Sequence, residues 1–165
     1  MNLFAKLQAR AAKETPIRIG MIGAGKFGSM FLAQAIKLPG IHIVAICDLD
    51  VGRVQSNLVY VGWPQDLYAA SSLDDAIKHY TTLLTDDWQL VTDCPLIDII
   101  IECTGNPMAA VTHAVAAFAA RKHVINATVE ADAFCGLGLA ATAKNAGVIY
   151  SMAFGDQPAL VCDLV

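Results

Sequence analysis

Three glycines and one aspartate carry the clearest chemical signal in this chain. The apolar run Ile17-Arg18-Ile19-Gly20-Met21-Ile22 leads into Gly23-Ala24-Gly25-Lys26-Phe27-Gly28, a G-x-G-x-x-G loop. In such a loop Gly23 permits the tight turn and Gly25 lets backbone approach a diphosphate. Gly28 lets the following helix sit close to the strand, so that its N-terminal amides point at the anion. Lys26 and Phe27 lie inside the same loop and count with it as candidate cofactor contacts. Asp48 closes the next apolar run, 20 residues after Gly28, where a carboxylate can accept hydrogen bonds from a ribose hydroxyl. The combination predicts a dinucleotide site. Asp48 repels a 2′-phosphate and so leans toward NAD, whereas Arg53, five residues on, can pair with such a phosphate and allows NADP.

Other readings of the loop are weaker. Gly20, Gly25 and Lys26 also satisfy G-x-x-x-x-G-K, the phosphate loop of kinases and ATPases, but Phe27 stands where a serine or threonine should ligate magnesium. An S-adenosylmethionine-dependent methyltransferase also has a glycine-rich first loop and an acid after its second strand; the helix-packing Gly28 favours the dinucleotide. A module that senses the dinucleotide without chemistry is the alternative from a different functional class.

Two further segments end apolar runs at what should be the same sheet edge. Glu102-Cys103-Thr104-Gly105-Asn106-Pro107 brings Thr104 and Gly105 toward the cofactor's ribose or nicotinamide. Asn126-Ala127-Thr128-Val129-Glu130-Ala131-Asp132 offers Asn126, Thr128 and Glu130 to the nicotinamide or substrate, with Glu130 the one catalytic candidate and Asp132 a helix cap. Cys103 reads as a buried thiol rather than a nucleophile, because the sequence sets no histidine beside it.

The elements that must hold these residues alternate between strand and helix patterns, as in a Rossmann-type doubly wound α/β fold: a mainly parallel sheet with helices on both faces. Strands are expected over 16–22, 41–47, 81–85, 97–102, 123–126 and 148–152. Helices are expected over 26–38, 50–60, 71–79, 87–91, 107–121 and 131–145. Ser72 is a candidate N-cap, Pro39-Gly40 a helix stop, and Gly62-Trp63-Pro64 a break. Residues 1–15 read as a short amphipathic helical arm and 16–152 as the dinucleotide domain. Residues 153–165 read as the start of a connection, with Pro158 opening a helix that stops at Val165. So short a helix would be marginal alone, which predicts an N-terminal piece of a longer protein whose catalytic domain follows.

Composition narrows the class. In 165 residues the net charge is −4, with no basic stripe to follow a phosphate backbone, so nucleic acid is not an expected partner. The 56% hydrophobic fraction owes much to alanine, and the longest apolar helix candidate, 109–120, falls short of the roughly 20 residues of a membrane span. Five widely spaced cysteines without a C-x-x-C pair fit reduced thiols in a cytoplasmic protein. Four histidines share no metal-ligand spacing, and no metal site is expected.

The whole chain resembles the NAD(P)-binding domain of homoserine dehydrogenase and its relatives. The likeness rests on 19–28, on Ile99-Ile100-Ile101-Glu102-Cys103-Thr104-Gly105, on Arg121-Lys122-His123-Val124-Ile125-Asn126-Ala127, and on Tyr150-Ser151-Met152-Ala153-Phe154-Gly155-Asp156-Gln157-Pro158. Within that group, Val129-Glu130-Ala131-Asp132 and Gly155-Asp156-Gln157-Pro158-Ala159-Leu160 look most like the members bearing a C-terminal SAF domain, a set that includes deoxyxylulose phosphate reductoisomerase-like enzymes. The resemblance implies an NAD(P)-dependent oxidoreductase that moves a hydride on a small hydroxy or carbonyl substrate. It implies a substrate-holding C-terminal domain and is compatible with a homo-oligomer. Homoserine dehydrogenases carry an Asn-Lys pair where this chain reads Thr128-Val129, which argues against homoserine itself.

Overall fold

The computed structural model describes residues 2–153. Six parallel strands form one sheet in the order β3-β2-β1-β4-β5-β6. They are β1 (Ile17–Ile22), β2 (Ile41–Cys47), β3 (Leu83–Thr85), β4 (Ile99–Glu102), β5 (His123–Asn126) and β6 (Tyr150–Met152). The helices are α1 (Leu3–Ala12), α2 (Lys26–Ala35), α3 (Val51–Tyr60), α4 (Leu73–His79), α5 (Trp88–Asp93), α6 (Pro107–Ala119) and α7 (Val129–Ala146). The expected doubly wound parallel fold is what forms.

The near-continuous aliphatic runs of β1, β2 and β4 follow from burial on both faces. One face packs Val44, Ile100 and Val124 against Ala76, Val91, Phe118 and Leu139 of the helices; the other packs Met21, Ile43 and Ile46 against Leu32, Val54 and Leu58. Trp63, read from sequence only as part of a break, plugs the second layer and donates Nε1–H to the Leu32 carbonyl at 2.9 Å.

Register aligns the strands' carboxyl ends. Ile22 pairs with Cys47 on one side and Glu102 on the other, and Glu102 pairs with Asn126. The loops carrying the glycines, Asp48, Thr104 and Thr128 therefore leave the sheet along a single edge.

Several boundaries move. The first sheet-covering helix ends at Ala35 rather than Leu38, because Lys37 and Leu38 turn back onto Gln34 and Ala35. The last begins at Val129 rather than Ala131, so Asp132 lies within its first turn and is not its cap. Asp132 instead accepts the Tyr150 hydroxyl at 3.1 Å. The N-terminal arm is helical but has no buried residue, and Leu3 and Phe4 stand exposed. The turn and helix expected over 155–165 lie outside the described residues.

Candidate functional site

The three loop glycines have three different physical reasons. Gly23 holds φ +94°, and a Cβ there would fall 2.6 Å from the Cys103 backbone. A Cβ on Gly28 would meet Met21 Cε at 2.3 Å and the Gly23 carbonyl at 2.8 Å, so the helix can approach β1 only with glycine. At Gly25 a Cβ would meet nothing within 4 Å. Among the described residues no packing demand explains that third glycine, and the open space leaves room for a ligand to approach the backbone.

Gly25 is also the N-cap of α2, and it carries no side chain to satisfy the first amides. By contrast α3, α4, α5 and α6 begin under the capping side chains of Asp50, Ser72, Asp87 and Asn106. The bare helix start faces a cavity of about 590 Å³ lined by Gly23, Gly25, Asp48, Arg53 and Thr104, and farther on by Trp88 and His113. Amides without a capping side chain, with the positive end of a helix behind them, are suited to hold an anion.

Asp48 is buried beside this loop. Its Oδ2 accepts the Ala24 amide at 2.8 Å, and its Oδ1 accepts the Asp50 amide at 3.1 Å and Arg53 Nη2 at 2.7 Å. Burial would raise its carboxyl; the two amides and the Arg53 guanidinium outweigh it and hold the group below the ordinary carboxylate value. The carboxylate therefore fastens the glycine loop to β2 while still lining the cavity. Arg53 is already drawn to Asp48, and its side chain remains 55% exposed. Asn57 adds a second tie, donating Nδ2–H to the Ala24 carbonyl at 2.9 Å.

Of the remaining sequence candidates, Thr104 and Gly105 are exposed at the edge, with the Thr104 amide directly behind Gly23. Lys26 and Phe27 are exposed on the first turn of α2, outside the cavity lining. Glu130 is exposed on the first turn of α7, and no described neighbour pairs with it as a base or acid.

Asn126 and Thr128, expected to face the nicotinamide or substrate, have buried side chains that bond within the protein. Asn126 donates Nδ2–H to the Thr128 carbonyl and to the Tyr150 hydroxyl oxygen, each at 3.0 Å. The Thr128 hydroxyl donates to Glu102 Oε2 and accepts the Gly105 amide at 3.1 Å. They brace the loop that Gly105 belongs to.

Sequence reasoning passed over the residue that organises this half of the edge. Glu102 is 1% exposed and accepts the Thr104 hydroxyl at 2.6 Å, the Thr104 amide at 3.3 Å, Thr128, and the His113 ring at 3.3 Å through Nδ1. The one signal was an acid ending an aliphatic strand. His113 was placed on a helix of alanines, and only the return of α6 over β4 brings it to Glu102. Cys103 is the buried thiol expected: its Sγ donates to the Gly23 carbonyl at 2.9 Å, and burial, reinforced by the charges of Glu102 and Asp48, pushes the thiol well above its ordinary range.

With this geometry in view, comparison with known proteins is decisive at the family level. Residues 17–127 match the GFO/IDH/MocA oxidoreductase family, NAD-binding Rossmann fold. The chain belongs to this family. A curated glycosyl hydrolase family 109 protein of Porphyromonas gingivalis is 39% identical over 75 residues, which is 44% of this chain and 16% of that protein. The fold is shared with a homoserine dehydrogenase from Thiobacillus denitrificans, with TM-score 0.66 and 23% identity over 83% of this chain and 29% of that one. It is shared also with a Synechocystis biliverdin reductase solved with biliverdin and NADP⁺, with TM-score 0.61 and 19% identity over 85% and 38%. The chain thus spans well under half the length of these relatives. Membership sets it among NAD-binding oxidoreductases and not among methyltransferases. Among the described residues no helix is long and apolar enough to cross a membrane, and no cluster of His, Cys, Asp and Glu could hold a metal.

Proposed function

We propose that this chain is the cofactor-binding half of an NAD(P)-dependent oxidoreductase that moves a hydride on a small hydroxy or carbonyl substrate. The observation that carries the reading is the uncapped start of α2 above a cavity, at the one glycine of the loop that the chain's own packing does not require.

The dinucleotide supplies the hydride-accepting or hydride-donating ring. This chain's residues bind and orient it. The α2 amides and the Gly25 backbone hold the diphosphate, and Asp48, with a lone pair left on Oδ2, accepts a ribose hydroxyl. Thr104 and Gly105 border the cofactor's ribose. Arg53 turns from Asp48 to a 2′-phosphate when one is present, so that NAD is preferred and NADP tolerated. The homoserine dehydrogenase-like reading is supported by the stretch Ile99 to Gly105 and by the shared fold. Thr128, in place of the Asn of that family's Asn-Lys pair, is committed to Glu102, which favours a substrate other than homoserine. The substrate, a SAF-type or other C-terminal domain to hold it, and a cytoplasmic setting are parts of the same proposal.

Calorimetric titration tests it. The folded chain binds NADH and, more weakly, NADPH, and turns over nothing by itself. Asp48→Ala weakens NADH binding by about tenfold or more, and Arg53→Ala weakens NADPH more than NADH. No binding of either nucleotide at millimolar concentration refutes the reading. Unchanged NADH affinity in Asp48→Ala refutes the ribose role.

A further inference from the structure

We propose that the Glu102–His113 pair reads the base of the nucleotide, with His113 Nε2 accepting the exocyclic amino group of adenine, so that the site selects a 6-amino purine over a 6-oxo purine. The inference rests on the dinucleotide reading above and concerns other residues that line the same cavity.

A nucleotide whose diphosphate lies on α2 and whose ribose meets Asp48 directs its base away from the glycine loop. The lining of the same cavity includes Trp88, Ala109 and His113. The indole and imidazole rings stand 4.9 Å apart at 54°, giving an apolar surface suited to a flat base. Apart from Asp48 and Arg53, the acidic or basic side chains that line the cavity are Asp86 and His113. Asp86 is solvent-exposed, whereas His113 is 7% exposed, so a hydrogen bond to the ring is made in a drier setting.

The proton placement on His113 follows from its neighbours. The Thr104 hydroxyl accepts the Asn106 amide at 3.2 Å, and the Thr128 hydroxyl accepts the Gly105 amide, so each hydroxyl proton points at Glu102. With the Thr104 amide added, both Glu102 oxygens are acceptors, and the His113 nitrogen facing them must be the protonated one. In a neutral ring Nδ1–H donates to Glu102 and Nε2 keeps a bare lone pair. Among the described residues Nε2 has no hydrogen-bond partner, and it belongs to a side chain that lines the cavity. An acceptor held there matches the amino group on C6 of adenine and opposes the carbonyl oxygen at C6 of hypoxanthine. Glu102 acts through His113 as a positioning residue.

The experiment compares NADH with its hypoxanthine counterpart by calorimetry on the wild-type chain at pH 8.5. The expected result is binding of NADH at least tenfold tighter. His113→Phe, shown folded by thermal unfolding, brings the two within twofold, while Asp86→Asn leaves the preference intact. Because His113→Phe removes a donor from buried Glu102 and can fail to fold, nitrogen NMR of the wild-type histidines gives a second readout. The His113 Nε2 resonance moves when NADH binds and keeps its position with the hypoxanthine nucleotide. Equal affinities, loss of the preference in Asp86→Asn, or a stationary resonance overturns this inference alone. Failure of both nucleotides to bind removes the dinucleotide reading, and this one with it.

Discussion

Gly25→Ala should separate binding from folding. The new Cβ finds no atom within 4 Å, and φ −68° lies outside the left-handed region that favours glycine. Stability should therefore stay within about 0.5 kcal/mol of wild type, with a gain of about 0.4 kcal/mol if the lower entropy of the unfolded chain dominates. Binding should respond differently, because the methyl group takes the space through which backbone approaches the diphosphate. Displacing the anion from even one charge-assisted amide contact costs about 1.5–3 kcal/mol, which is a loss of about tenfold to 150-fold in NADH affinity. The assay pairs urea unfolding with calorimetric titration on the same preparation. Gly28→Ala is the contrasting control: its Cβ meets the Gly23 carbonyl at 2.8 Å, so about 1–3 kcal/mol of stability is lost along with binding. Unchanged NADH affinity in Gly25→Ala would refute the anion site. So would a loss of stability as large as the loss of binding, because Gly25 would then be structural.

Two further outcomes test the surrounding structure. Glu102→Ala leaves the Thr104 and Thr128 hydroxyls and the His113 ring without their acceptor, and should lower the unfolding free energy by about 3 kcal/mol; a loss below about 1 kcal/mol in urea unfolding would show that the network relaxes around the gap. His42 is 7% exposed, donates Nε2–H to the Thr81 carbonyl at 2.7 Å and leaves Nδ1 without a partner. Burial, aided by the Arg18 charge, pushes its pKa down against the raising effect of Thr81. The unfolded chain then takes up a proton near pH 6.5 that the folded chain refuses until lower pH, so this contribution is full above about 6.5 and declines as pH falls. Urea unfolding at pH 7.5 and pH 5 should show that decline in wild type and a flatter profile in His42→Phe; equal profiles would mean that His42 titrates alike in both states.

What the sequence determined by itself is the periodic and local part of this protein. Alternating aliphatic runs and helix patterns specify a parallel sheet with two covered faces, because strands buried on both sides must be apolar throughout. The glycine loop stands out in the sequence because a tight turn and a close helix–strand approach impose glycine at short, fixed spacing, and the dinucleotide proposed for it adds an acid at the end of β2. Boundaries slipped where side chains override local signals: the Thr128 hydroxyl is held by Glu102, so α7 starts without the cap that Asp132 seemed to offer. Only the tertiary structure decided the rest. Thr128 ties the Gly105 loop to Glu102, a contact that its place in the sequence does not announce. Glu102 and His113, eleven positions apart on a strand and a helix, meet only because α6 folds back across β4. Arg53 pairs with Asp48 because α3 starts directly above the end of β2. Spacing along the chain encodes contacts that one turn or one strand can make. Contacts between separate elements depend on how those elements pack, and no single segment records that.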